Sequence, residues 1–128
     1  MGMTEGRKYD LEDRLIRFGA AVIKYVERLP NTFAGRHLGG QLIRSGTAPA
    51  LHYGEAQSAE SSKDFVHKIK IGLKELRESR ANLRMIGESN MMPPSDPEHL
   101  RLLDESMELI RILSKSAKTA TSNMLQRS

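Results

Sequence analysis

The chain has 128 residues, a formal net charge of +4 and neither cysteine nor tryptophan. That length fits one domain with a modest core, and the missing thiols exclude disulfides and thiolate-held zinc or iron–sulfur centres. No apolar run approaches the roughly 20 residues of a membrane helix and the polar start lacks the apolar stretch of a secretory signal, so the expectation is a cytoplasmic protein with no membrane partner. The mild positive charge suits a polyanion partner but is far below that of a protein that coats nucleic acid.

The predicted elements begin with a segment 1–9 expected to be disordered, ahead of a helical domain over 10–124 and a frayed end at 125–128. Asp10 is placed to cap a first helix running to Leu29. Leu11, Leu15, Phe18, Val22, Tyr25 or Val26, and Leu29 form its apolar stripe, and Pro30 ends it. A second helix starts near Thr32 with Leu38, Leu42 and Ile43 as its apolar face. Gly35, Gly39 and Gly40 cost it about 1 kcal/mol each, which close approach of a neighbouring backbone would offset. Pro49 predicts a kink, or a break restarted with Thr47 as cap; beyond it come Ala50, Leu51, Tyr53 and Ala56.

Ser61 or Ser62 starts a third helix that reaches about Glu88. It carries three lanes. Phe65, Ile69, Gly72, Leu76, Ser79, Leu83 and Ile86 alternate steps of four and three, the seam of a helix packed nearly parallel to another. Lys63, His67, Lys70, Lys74 and Arg77, with Arg84 at the edge, form a basic lane. Asp64, Glu75 and Glu78, with Ile71, form an acidic one. After the loop at Met91–Pro94, either Ser95 with Glu98 or Asp96 followed by Pro97 starts a fourth helix. Its expected stripe is Leu100, Leu103, Met107, Ile110, Leu113, Ala117 and Met124. The whole predicts an all-α, antiparallel up-and-down four-helix bundle whose second helix is kinked near Pro49.

The stretch Gln41–Leu83 resembles the four helix bundle proteins encoded by open reading frames within intervening sequences of bacterial 23S ribosomal RNA genes. The motifs that carry this are Arg44-Ser45-Gly46-Thr47 with Pro49, Tyr53-Gly54-Glu55-Ala56 with Ser58, and Lys70 with Leu73-Lys74-Glu75-Leu76-Arg77-Glu78. The resemblance extends from about Leu11 to Ala120. It implies a cyclic homopentamer, no enzymatic activity, and nucleic-acid binding as the role to test. The accessory subunit of diversity-generating retroelements is similar in fold and presents a basic surface to a reverse transcriptase. The family has Asn where this chain has His52, three residues before Glu55; a buried contact between the two would respond to pH.

The candidate nucleic-acid contacts are therefore Lys63, Lys70, Lys74, Arg77 and Arg84, which could follow phosphates along the helix. No aromatic residue interleaves them, so base stacking is not on offer. Arg44, His52 and Glu55 are candidate structural polar residues, with Glu55 expected near the Pro49 kink. The competing reading makes the protein an interaction adaptor whose opposite-sign lanes meet between subunits of a ring. His52 with Glu55 and Asp64 with His67 have metal-pair spacing, but order and facing argue against a bundle-core metal site, and no cofactor is expected. His37 and His99 are read as surface or capping residues, and Met91 and Met92 as gap-fillers or a partner contact.

Overall fold

The structure is a computed structural model describing the backbone of residues 3–127, with side chains from Leu11 onward. The segment expected at 1–9 and the side chain of Asp10 lie outside the described side chains. Four helices follow one another: α1 (Met3–Val26), α2 (Phe33–Gln57), α3 (Ser62–Glu88) and α4 (Pro97–Arg127). No strand occurs among the described residues, and the chain is the expected all-α four-helix bundle.

Local chemistry explains the helix ends. α1 begins upstream of Asp10, so that residue is not its cap. It tightens before Pro30 through two short-range bonds, from Arg28 N to the Tyr25 carbonyl and from Leu29 N to the Val26 carbonyl. The hydroxyl of Thr32 accepts the Gly35 amide at 3.1 Å to cap α2, and Ser61 accepts the Asp64 amide at 3.1 Å to cap α3. Asn90, at a φ of 59°, turns the chain out of α3; asparagine tolerates this left-handed region better than most residues. Of the two starts expected for α4, the Asp96 cap with Pro97 is used: Asp96 Oδ2 accepts the His99 amide at 3.0 Å.

α2 passes through Pro49 without a restart. Thr47 is not a cap there; its hydroxyl donates to the Ile43 carbonyl at 2.7 Å, one turn back. Proline removes one helical hydrogen bond there. The position is packed, since Pro49 is buried and its carbonyl lies 3.9 Å from where a Cβ on Gly72 of α3 would stand. Small groups close this seam further along, where the hydroxyls of Ser45 and Ser79 meet at 3.0 Å.

The core runs along the bundle axis. Leu15, Phe18, Val22 and Tyr25 come from α1, Leu42 and Tyr53 from α2, Ile69, Leu76, Leu83 and Ile86 from α3, and Leu102, Leu109 and Leu113 from α4. The α3 seam is as expected, with Phe65 only partly covered. In α2 the expectation fails at Ile43, which is 37% exposed, and Leu51 beyond Pro49 is 68% exposed. In α4 the stripe is rotated. Leu100 is exposed, while Leu102, Ser106 and Leu109 face inward with Leu113 and Ala117.

The α1–α4 seam is the loosest of the four and is tied by polar groups. Arg14 makes a two-pronged contact with Glu105, Nη2 to Oε1 at 2.7 Å and Nε to Oε2 at 3.1 Å. Arg28 donates to Asp96, and its Nη2 lies 3.6 Å from the sulfur of Met92, which is a buried core residue and not a partner contact.

Candidate nucleic-acid interface

α3 presents its leucines and isoleucines to the bundle, and the opposite face follows from helical geometry. Lys63, Lys70, Lys74, Arg77 and Arg84 are all exposed on it, together with His67. Lys63, Lys70, Arg77 and Arg84 recur every seventh residue, which places successive charges about 10 Å apart along the axis. None of these five cations is paired with a carboxylate among the described residues.

The neighbouring acidic lane has a different fate. Arg44, reaching across from α2, donates to Glu75 Oε2 at 3.1 Å and to Glu78 Oε2 at 3.0 Å. The hydrogen bond it donates to Glu78, followed by the charge of Glu75, holds the Arg44 guanidinium pKa above its usual range. The pairs are solvated, so each is worth little in stability. Their effect is on the field: two of the three acids beside the basic lane share Arg44 within the same chain, which offsets one of their two charges, and the lane's own charge is left standing.

Of the three candidate structural residues, His52 and Glu55 adjoin, whereas Arg44 pairs elsewhere. Glu55 lies half exposed and is bonded by Lys68 of α3, Nζ to Oε2 at 3.0 Å, rather than by backbone groups near Pro49. That hydrogen bond, together with the Lys68 charge, lowers the Glu55 carboxyl below its ordinary value, with a smaller contribution from His52. His52 Nδ1 stands 3.5 Å from Glu55 Oε1; it is within ion-pair reach but makes no hydrogen bond. Lys68 has no partner legible in the sequence, since its contact spans two helices. Asp64 and His67 share the exposed start of α3, and no group of three or more acids and histidines that could hold a metal occurs among the described residues.

His37 is exposed and stacks on Phe33, but the surface reading of His99 is overturned. His99 is 2% exposed. Its Nδ1 lies 2.6 Å from the Tyr25 hydroxyl. Burial, and then the charge of Asp96, pushes the Tyr25 pKa up, so the phenol keeps its proton. In the tautomer in which Tyr25 donates to Nδ1, the imidazole proton sits on Nε2; in the other, Nδ1–H donates to the phenol oxygen. Gly87 makes the site possible, because a Cβ there would fall 2.7 Å from Nε2. Beside this ring, α3 and α4 form an open cleft of about 470 Å³ that Arg80 and Arg84 also line.

The cluster gives a pH dependence. Burial lowers the His99 pKa, with Asp96 opposing in part. The unfolded chain therefore takes up this proton first, and stability is lost as pH falls below about 6.5. Asp96, held at about 2 by the Arg28 hydrogen bond and then the His99 amide, adds a second loss as pH falls from about 3.8. Thermal unfolding followed from pH 7.5 to 5 is expected to show a falling midpoint that is flattened in His99→Gln; an equal slope in both proteins would remove His99 as the cause.

The fold and the exposed cationic ridge define an all-α bundle with a row of unpaired positive charges along α3. No protein-family model matches the chain, and no curated protein does. Among solved structures, the fold is shared with a protein of unknown function from the S23 ribosomal protein family of Bacteroides thetaiotaomicron. The two superpose with a TM-score of 0.77 at 24% identity, over 84% of this chain and 98% of that one. At that identity the likeness establishes the fold. No helix among the described residues is long and apolar enough to cross a membrane.

Proposed function

We propose that this protein is a non-enzymatic, cytoplasmic bundle that assembles into a homopentameric ring and binds RNA or DNA through the basic lane of α3, directly or while presenting it to a nucleic-acid enzyme. The observation that carries the reading is the asymmetry between the lanes: Lys63, Lys70, Lys74, Arg77 and Arg84 stand unpaired, whereas Glu75 and Glu78 are taken by Arg44. Backbone phosphates are the partner such a row selects, with affinity that depends on salt and little sequence preference. A ring would multiply a weak contact per subunit by avidity. The adaptor reading needs acids free to meet a neighbour's lysines, and the pairing of Glu75 and Glu78 to Arg44 leaves it fewer of them.

Reversing Lys70, Lys74 and Arg77 to Glu tests the reading. Each lost phosphate contact is expected to reduce the slope of log K against log salt by about 0.7 for single strands and about 0.9 for duplexes. The triple variant should thus lose about 2 or more from the slope and at least about tenfold in affinity near 0.1 M salt. An unchanged slope and affinity would refute the lane. Dissociation of the ring on sedimentation, with the wild type ignoring nucleic acid, would favour the adaptor.

A further inference from the structure

The lane ends at Arg84, and an open cleft lies just there. Its walls come from the last turns of α3, the loop behind them and the first turns of α4. At about 470 Å³ it falls within the range of pockets that hold small molecules, roughly 300–1,000 Å³. Arg80, Arg84, Asn90 and His99 bring nitrogen groups to its wall. The Nε of Arg80 is buried behind that wall and meets no acceptor among the described residues. Buried donors without partners are rare, and an unmet one on a charged group is costly. Arg84 is exposed and unpaired. His99 adds an imidazole whose Nδ1 is engaged by Tyr25, which leaves Nε2 as its free nitrogen, a donor in the tautomer in which Tyr25 donates to Nδ1.

We propose that this cavity is a phosphate-monoester pocket in which the Arg80 and Arg84 guanidinium groups and His99 Nε2 bind the phosphate oxygens. Planar guanidinium forks match phosphate oxygens in pairs, which a lysine cannot do. A neutral imidazole donor adds a hydrogen bond without demanding a further counter-charge. The carboxylate of Glu88, which lines the same cavity, opposes a bare anion. It suits a phosphate that carries a sugar, because it can accept from ribose hydroxyls. Leu100, 47% exposed and part of the wall, offers an apolar surface to the rest of the ligand. Such a phosphate has two sources: a free nucleoside monophosphate, or the 5′-end of a strand lying on the lane. The second source rests on the function proposed above; the pocket does not.

The test uses the full chain with inorganic phosphate, adenosine 5′-monophosphate, and one short RNA bearing either a 5′-phosphate or a 5′-hydroxyl. Binding is followed by calorimetry and amide NMR. The 5′-phosphorylated strand is expected to bind about tenfold tighter than its 5′-hydroxyl twin, with shifts at Arg80, Gly87 and His99. That ratio should fall to one in Arg80→Gln, and also in Arg84→Gln, whose exposed side chain puts folding at no risk. Shifts at these residues with the monophosphate alone, without preference for the phosphorylated strand, would assign the pocket to a free nucleotide. If neither strand binds while the monophosphate still does, the lane falls and the pocket stands. Equal binding of both strands with no response to monophosphate or inorganic phosphate would overturn the pocket and leave the lane intact. A ratio that persists in both variants would overturn it as well.

Discussion

Truncating Leu76 to alanine is expected to lower the free energy of unfolding by about 3 kcal/mol, visible as a midpoint roughly 10 °C lower at matched protein concentration. Leu76 is fully buried at the centre of the α3 seam, in one core with Leu42, Leu83 and Leu109. Its removal loses the transfer free energy of the side chain and leaves a cavity that rigid neighbouring helices cannot fill. Lys74, two residues away and exposed, provides the contrast: Lys74→Ala should change stability by no more than about 0.5 kcal/mol. A cost below about 1 kcal/mol at Leu76 would mean that the seam is not in the core, and the opposite face would then lose its assignment as a free surface.

Gly35→Ala is expected to be the most damaging single methyl that can be added at a glycine in the described chain. A Cβ at this position would stand 2.0 Å from the carbonyl oxygen of Pro30 and 3.2 Å from the Thr32 hydroxyl that caps α2. The first obstacle is backbone, so no rotamer change relieves it, and the connection from α1 into α2 must move. Alanine's better helix propensity returns about 1 kcal/mol, against an overpacking cost of about 1–3 kcal/mol or more and loss of a cap worth about 1 kcal/mol. A net loss of about 2 kcal/mol follows. Gly40→Ala, where nothing lies within 4 Å, should instead be neutral or stabilising. Equal behaviour of the two variants in denaturant unfolding would contradict this account of the α1–α2 corner.

The bundle was legible wherever one periodic signal dominated. α3 has a single apolar seam bordered by charge on both sides, and its buried set and Ser61 cap match the pattern. In α4 the same reading holds at Leu113 and Ala117, with Leu103 and Ile110 packed against the core, but misses Leu102 and Leu109, because Leu102 beside Leu103 and Leu109 beside Ile110 make two adjacent stripes of nearly equal weight. The polar residues His99 and Ser106 occupy inward positions and hide the true one. Tertiary context decided: Tyr25 supplies a partner for the imidazole, and Gly87 supplies the space.

The candidate interface divides in the same way. Exposure of the basic lane followed from the wheel, because the leucines opposite fix its direction. The capture of Glu75 and Glu78 did not, since Arg44 lies on another helix and its reach depends on how closely α2 and α3 pack. Arg80 gave no signal at all. It falls between the lanes, and its unmet Nε becomes visible only when α4 is laid against α3.

The most direct measurement is protection of individual lysines from acetylation with and without bound RNA. Lys63, Lys70 and Lys74 share the unpaired ridge of α3, whereas Lys115 and Lys118 are exposed on α4 and Lys68 is held by Glu55. Protection of Lys63, Lys70 and Lys74 by RNA, fading as salt is raised, with Lys68, Lys115 and Lys118 unchanged, is the expected result. Protection spread evenly over all six, or confined to α4, would contradict the assignment of the α3 lane.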